Sequence, residues 1–544
     1  MPKSISFHRL PGLNSLFVDY VENFERVSSF YEQDYRQPVE QWKGIRETTN
    51  LHKKDLVEGL LEDAQRWESG RQTIKNIEAL AKPETLAVVT GQQVGLFGGP
   101  LFTFYKATSA VLWAKRIEKE TGRPTIPVFW METTDHDFYE INYIRMLDLA
   151  GEEVTLSLSN APKEKRRVVG GITFNGEIKQ LIHRLWNLMP ANTYRGPLLE
   201  MLSDIYKPGE TVGNAFARLF TYLFGDDGLV LFDADNARSK GAVRPLLDRI
   251  IESGDGLNDL LEESTKAVED KGYQAQISPQ EDRLQLFVKY GEVRIPVSND
   301  GTLLYEDRPH EQIGLEGLRR RAAENPEIFL PKVSLRPIMQ DYLFPTAAYL
   351  AGPSEIAYFA QLKPLYQHLG VRMPAIIPRL SLTLLEAKIK KILDKYGFTP
   401  EQLSKGPQEL IRERLESDSS NDIVGLFAGI RKKWGEIHEE LGFGLMHIDP
   451  TLQHPMEKTL ARFQQGLNVL EDKARMALSH KNETLVSQVE KCCRHLAPHS
   501  QLQERRYSMQ YYLVRYGRSL GQRIRSQAKI DLFRHQLIDL ENGD

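Results

Sequence analysis

Residues 86–140 read LAVVTGQQVGLFGGPLFTFYKATSAVLWAKRIEKETGRPTIPVFWMETTDHDFYE, and this stretch decides the fold. The apolar run Leu86–Val89 has the length of a buried strand and ends in a loop carrying Gly91, Gly95, Gly98 and Gly99. Pro100 follows, where a first helical turn tolerates a missing N–H, and a helical pattern then runs to about Glu120. Gly122 and Pro124 stop that helix, and a second apolar run, Ile126–Trp130, follows directly. Strand, glycine loop, helix and strand make a βαβ unit, whose right-handed crossover implies a parallel sheet. Ligands of such sheets bind beyond the strand C-termini, where both polar clusters of this stretch lie.

Composition bounds the rest. A chain of 544 residues has room for about two to four domains, each with its own core. Its hydrophobic share of 41% and charged share of 26% are those of an ordinary globular protein. The net charge of −4 carries no polyanion signature, which argues against nucleic acid as a partner. Cys492 and Cys493 are too few for a disulfide framework or a zinc site and fit a reducing compartment. The N-terminal MPKSISFHRLPGL has no apolar h-region, and no window approaches twenty apolar residues. The expectation is a cytoplasmic protein with no membrane span.

Outside the βαβ unit, Leu13–Tyr31 predicts a helix laid on the core, and residues 50–82 a pair of surface helices. Glu153–Leu158 alternates, the charged turn PKEKRR follows, and then Val168–Phe174, which together read as a small β insertion near 150–175 rather than a continuation of the parallel sheet. Residues 176–224 and 240–270 are helical in pattern. Between them, Leu229–Phe232 is a third buried strand ending at Asp233, Asp235 and Asn236. Leu284–Lys289 and Glu292–Val297 flank Tyr290-Gly291 and predict a hairpin, a second insertion near 275–300. Residues 333–380 return to the core style, with Arg336, Gln340, Asp341, Glu355, Gln361, Lys363 and Arg379 studded among apolar runs. This segment reads as the last crossover facing the same cleft, with Ala375–Ile377 as a strand.

Beyond residue 382 the pattern becomes heptad-like. Ile423, Phe427, Ile430, Trp434, Ile437 and Leu441 form one series, and Met456, Leu460, Phe463, Leu467, Leu470, Ala474 and Ala477 a second. Separated by a Gly442–Pro455 connection, they predict an antiparallel coiled-coil hairpin. Leu485, Val489, Cys492 and Leu496 resume after a phase break, as a stutter produces. Tyr507–Tyr516 and Arg523–Leu540 read as helices returning to the core. The expected domains are a catalytic core over 1–382, a helical coiled-coil domain over 383–505, and C-terminal helices over 506–544.

Four stretches now carry a resemblance: VVTGQQVGLFGGPLFTFYKA, PVFWMETTDHDFYEIN, LRPIMQDYLFPTAAYLAGPSEIAYFAQLKP and MPAIIPR. In this order they resemble the signature stretches of the bacillithiol biosynthesis cysteine-adding enzymes, over most of the chain. One departure is Thr134, which stands where an acidic residue often precedes Asp-His-Asp. The resemblance implies an α/β fold: a Rossmann-like parallel sheet core similar to that of class I aminoacyl-tRNA synthetases, with β-containing insertions and a C-terminal antiparallel coiled coil used in dimerisation. It also implies attachment of cysteine to the amine of glucosaminyl malate, giving bacillithiol or a close relative.

The residues can be tried against that chemistry. Joining a carboxylate to an amine in water is uphill, so such a ligase activates cysteine, for instance as an adenylate, and ATP or another nucleotide is the expected cosubstrate. Backbone N–H groups along Gly91, Gln92, Gln93, Gly95, Gly98 and Gly99, with the following helix N-terminus, can cradle phosphates. The loop lacks the lysine-serine ending of a P-loop, and tight turns are the plainer reading of its glycines. Thr103 and Lys106 are one turn apart and reach toward the loop; a solvated surface lysine is the alternative. His136, flanked by Asp135 and Asp137, suits deprotonation of an attacking ammonium, which either carboxylate can also pair. Alternatively Asp137 caps the next helix and His136 packs. No metal is expected, since three residues in a row lack the spacing of a known motif. Asp233 is placed to hold a ribose hydroxyl or ammonium, or to make a turn. Arg336 and Arg379 are anion clamps for malate carboxylates or phosphate, or structural ion pairs. Gln340, Glu355 and Gln361 complete the candidate binding set.

Three classes of function remain: the cysteine ligase, another nucleotide-dependent ligase or nucleotidyltransferase on the same core, and a non-catalytic coiled-coil scaffold. The polar residues crowding several strand ends favour an enzyme. The reading places the cleft between the Gly91–Gly99 loop and Asp135–Asp137, and a homodimer through residues 420–500. It expects His136→Ala to lower ligation roughly 10²–10⁴-fold.

Overall fold

The computed structural model describes residues 3–36, 42–45, 53–159, 161–280, 282–416 and 423–540. Parts of the expected segments, at 1–2, 50–52, 160, 281, 420–422 and 541–544, lie outside the described residues. The chain divides into two compact units. One comprises residues up to 384 with those from 503 onward, the other residues 385–502.

The first unit is built on five parallel strands: β1 (Leu86–Gln93), β2 (Thr125–Glu132), β3 (Val230–Asp233), β4 (Thr346–Ala351) and β5 (Ala375–Pro378). Their order in the sheet is β5-β4-β1-β2-β3, and all four pairings are parallel. Helices cover such a sheet on both faces, which is why these strands read as continuous apolar runs. Both β1 and β2 outlast their apolar runs: they pair residue by residue from Leu86↔Thr125 to Gln93↔Glu132. Gly91 is therefore a strand residue, and a Cβ there would stand 3.0 Å from the Trp130 carbonyl oxygen. The loop begins only at Val94. Helix α1 (Leu101–Thr121) follows, with Pro100 as its cap residue and Gly122, at φ 70°, ending it.

From β1 the chain steps outward to β2 and β3, then returns to the other flank of β1 as β4 and β5. The strand order thus reverses between β1 and β4, where doubly wound sheets bind ligands. Helix α2 (Arg336–Leu343) leads into β4, and α3 (Pro353–Phe359) leaves it.

Two β insertions hang on this core. Tyr143–Leu147 pairs antiparallel with Glu153–Ser157, and Arg283–Tyr290 pairs with Val293–Ser298 in a five-stranded sheet. Val168–Phe174, expected as a strand, is not one. Its amides are taken separately: Val168 donates to Glu292 O, Val169 to Asp135 O, Gly170 to Thr133 O and Phe174 to Glu210 O. The segment is a strap over the 133–135 turn. A second correction concerns Arg523–Leu540: helix ends at Gln527, and His535–Leu540 is a strand antiparallel to Ser4–Ile5. Leu13–Tyr31 holds a helix only over Ser15–Glu22, followed by 3₁₀ turns.

In the second unit, α4 (Ile423–Ile448) and α5 (Gln453–Lys481) form an antiparallel hairpin. Trp434 stacks on Phe463 at 3.7 Å, and Arg431 pairs with Glu471. The connection is shorter than Gly442–Pro455: α4 runs through Gly442 and Gly444, and the turn is 449–452, where the Asp449 side chain accepts from Thr451 N. Helix α6 (Glu483–Leu496) is not a continuation of the coil. Its Leu485, Val489, Cys492 and Leu496 pack with Ile389, Leu393, Leu403 and Leu410 into a separate small core. Among the described residues, no helix is long and apolar enough to cross a membrane.

Candidate active site

A cleft opens outside the C-terminal ends of β1 and β4, where the switch of strand order leaves room between the loops that follow them. Its inner cavity encloses about 290 Å³. Strand β1 contributes Gly91, Gln92 and Gln93; β2 and the turn beyond it contribute Glu132 and Asp135. The opposite wall is Arg336 and Gln340 of α2, Tyr349, Gly352 and Glu355, and Arg379 just past β5. A second cavity of about 400 Å³ shares Gln92, Gln93, Phe102 and Arg505 with the first and extends along Gly95, Gly99 and Thr103.

Charge in the inner cavity is arranged in pairs. Lys106 Nζ lies 2.5 Å from Glu355 Oε2 and donates to the Gly91 carbonyl at 2.7 Å and Gln92 Oε1 at 3.1 Å. The packing of α1 on the sheet turns this lysine inward, so the surface-lysine alternative does not hold. Glu355 also accepts from Tyr349 OH and from Gly352 N at the start of α3. Burial pushes the Glu355 carboxyl up, but Lys106 outweighs it and keeps it ionised. Arg336 faces Glu132 at 3.3 Å, and Glu132 in turn accepts from Trp130 Nε1 and Thr134 Oγ1. Thr134 thus anchors a carboxylate rather than supplying one. Arg379 is held by Glu504 at 2.8 Å. Asp135 faces Arg294 at 3.2 Å and accepts from Gln93 Nε2 at 2.6 Å. Burial raises its pKa, yet hydrogen bonds from His136 and Gln93 and the Arg294 charge hold it well below the usual carboxylate range.

Two buried polar atoms on this wall have no partner among the described residues: Oε1 of Gln340 and Nε of Arg379. A buried acceptor and a buried donor left open are expensive unless a ligand completes them. Among the described residues no three His, Cys, Asp or Glu side chains converge on a point that could hold a metal.

The structure brings together Gly91, Gln92, Gln93, Lys106, Asp135, Arg336, Gln340, Glu355 and Arg379 in the inner cavity, and Gly95, Gly99 and Thr103 in the outer one. Others do not reach either. His136 is exposed, outside both walls, with Nδ1 3.3 Å from Asp135 Oδ1. Asp137 caps the short helix Phe138–Ile141 by accepting from Tyr139 N and Glu140 N. Gly98 turns against Leu219 and Phe220. Asp233 accepts from Thr133 Oγ1 and Asp235 N, and Asp235 is held between Lys240 and Lys289. Gln361 is buried in structural bonds with Thr265, Gln276 and Ile277, and Lys363 binds the carbonyls of Ser29 and Tyr31. Sequence reasoning missed Glu132, Tyr349, Arg294, Glu504 and Arg505. Glu132 lies two residues beyond the Ile126–Trp130 run and was open to a longer strand. The others come from distant segments with no local signal.

Comparison with known proteins agrees with this architecture. The family model described as "Bacillithiol biosynthesis BshC, N-terminal Rossmann-like domain" matches residues 3–380, and "Bacillithiol biosynthesis BshC, C-terminal coiled-coil domain" matches 382–540. A curated relative from Salinibacter ruber, named "Putative cysteine ligase BshC", is 34% identical over 99% of each chain. Proteins of the same name from Chlorobaculum tepidum and Anoxybacillus flavithermus are 31% and 30% identical. These matches cover 94% and 93% of this chain, and 93% and 94% of the relatives. With both family models matching end to end on a parallel-sheet core and a helical hairpin, the chain belongs to the bacillithiol biosynthesis BshC family.

Proposed function

We propose that this chain is a cysteine ligase that joins the carboxyl group of cysteine to the amine of glucosaminyl malate in the cleft between β1 and β4. The observation that carries this reading is the inner cavity itself. It sets carboxylates and cations side by side, with an open acceptor at Gln340 and an open donor at Arg379. Substrates that bear an ammonium and carboxylates together suit such a wall. Asp135, kept ionised, is placed to pair an ammonium, and the free Arg379 Nε–H to meet a carboxylate.

ATP supplies the activation in this proposal. The cysteine carboxylate displaces pyrophosphate to give an aminoacyl adenylate; the sugar amine then attacks the carbonyl carbon, AMP leaves, and the amine loses its proton. The outer cavity, with Gly95, Gly99 and Thr103 at the start of α1, fits phosphate oxygens. The exposed apolar residues of α4 and α5 support a homodimer through residues 420–500. Two free, buried cysteines suit a reducing cytoplasm.

The test is incubation of the purified chain with glucosaminyl malate, cysteine and ATP, with thiol products and nucleotides read by mass spectrometry. The expected result is the condensed thiol together with AMP. ADP in place of AMP would replace the adenylate by an acyl phosphate, and no condensed product with any nucleotide would overturn the ligase reading.

A further inference from the structure

Arg505 is the cation of the inner cavity that no acceptor among the described residues answers. It sits on the short helix Gln503–Arg506, between two neighbours that are fully committed. Glu504 holds Arg379 and accepts from Ser381 Oγ and Leu382 N. Arg506 makes a two-point pair with Glu153, at 2.9 and 2.5 Å. Arg505 forms no hydrogen bond or ion pair with any described residue, yet it lines both cavities. The four ion pairs described above neutralise every other charged side chain on the inner wall. The inner cavity is therefore left with one uncompensated charge, positive, at its junction with the outer one.

A second observation points to a ligand at the same junction. Thr103, 1% exposed, lines the outer cavity, and its hydroxyl makes no hydrogen bond within the described residues. A helical threonine usually satisfies itself on the preceding turn, as Thr121 does on the Ile117 carbonyl. Desolvation and then the like charge of Arg379 lower the Arg505 pKa, against the weaker opposing pull of Glu504, whose carboxylate is already engaged by Arg379.

We infer that Arg505 is a binding residue that clamps an oxyanion of a substrate at the junction of the two cavities, with the Thr103 hydroxyl completing the seat. This rests on the ligase reading and deepens it. The shared chemistry is a phosphate or carboxylate oxygen, from ATP or from the malate moiety, which guanidinium meets with two parallel hydrogen bonds.

The experiment uses the full chain and the variants Arg505→Ala and Arg505→Lys. Thermal unfolding and calorimetric titration with ATP, glucosaminyl malate and cysteine, each alone, are measured beside turnover. Arg505 makes no hydrogen bond or ion pair with the described residues, so both variants should melt with the wild type. Arg505→Ala should bind one of the two anionic ligands roughly 10- to 100-fold more weakly, the worth of a charge-assisted hydrogen bond, with Arg505→Lys recovering part. Loss confined to ATP places a phosphate at the seat, and loss confined to glucosaminyl malate places a carboxylate there. If Arg505→Ala binds all three within about twofold of wild type while the wild type ligates, the inference fails and the ligase reading stands. A wild type that binds none of the three overturns both.

Discussion

Asp135 and His136 are adjacent, yet the fold gives them different stations. The strap at Val169 and Gly170 ties down the 133–135 turn, and Arg294 and Gln93 aim the Asp135 carboxylate into the cavity. His136 touches the site only through its neighbour. Asp135→Asn is therefore expected to lower ligation by at least about 10²-fold, as misplacing a substrate group does. His136→Ala should cost less than about tenfold, the worth of one ordinary hydrogen bond. Initial rates with a melting curve for each variant check this, and a larger loss at His136 would restore it as the base. A second residue, Asp341, responds to pH. Burial lifts its carboxyl from the ordinary 3.8 to about 7, although Tyr366 OH donates to it. The native state then holds a proton that the unfolded chain has released, so its contribution to stability falls as pH rises from about 4 through about 7. Asp341→Asn, which does not titrate, should gain melting temperature relative to wild type between pH 5 and pH 8; a pH-independent difference would refute this. Sequence could find Glu355 and Arg379 because each follows a buried strand within a few residues, and Arg336 because it is a guanidinium set among apolar runs. It misread Gln361 because a polar residue in an apolar run looks the same whether it serves a ligand or the amides of 276 and 277.

At the level of elements, the loop between β1 and α1 is shaped by backbone that a side chain cannot adopt. Gly99 has φ 69° and ψ −156°, a region open essentially to glycine alone, and its cavity face lies beside Thr103. Gly99→Ala should cost about 1–3 kcal/mol of stability and weaken ATP binding as well. Gly122→Ala, at a helix end with nothing within 4 Å, should cost stability without touching affinity. Denaturant unfolding and titration of the two variants separate the effects; equal loss of affinity would detach the loop from the ligand. The βαβ core was legible because period, glycine stop and apolar run all agreed along one local stretch. Val168–Phe174 and His535–Leu540 were not, because their assignment depends on which distant segment takes each amide. The strand at 535–540 exists because distant segments lie alongside it, Ser4–Ile5 on one side and the strand that begins at Leu382 on the other.

On the scale of the whole molecule, the hairpin of α4 and α5 has more apolar surface than its own seam can bury. Phe427 and Leu467 are buried, and Trp434 and Phe463 stack on one another across the seam. The surplus lies elsewhere. Phe443 is 81% exposed and Ile448 77%, with Ile437, Leu441, Met446 and Leu470 also open to solvent. Scattered exposed leucines need no explanation, but several large apolar residues toward one end of a helical hairpin resemble half of an interface. An identical hairpin is the simplest complement, since a two-fold axis turns one patch onto itself and closes the assembly. The predicted assembly is a dimer of twice the 62.3 kDa chain mass. Replacing Phe443 and Ile448 together by glutamate puts like charges into that contact and leaves the Trp434–Phe463 seam untouched. Light scattering should then report the mass of a single chain, with helix content by circular dichroism unchanged. A double variant that stays dimeric would move the interface off this hairpin, and a monomeric wild type would remove it altogether.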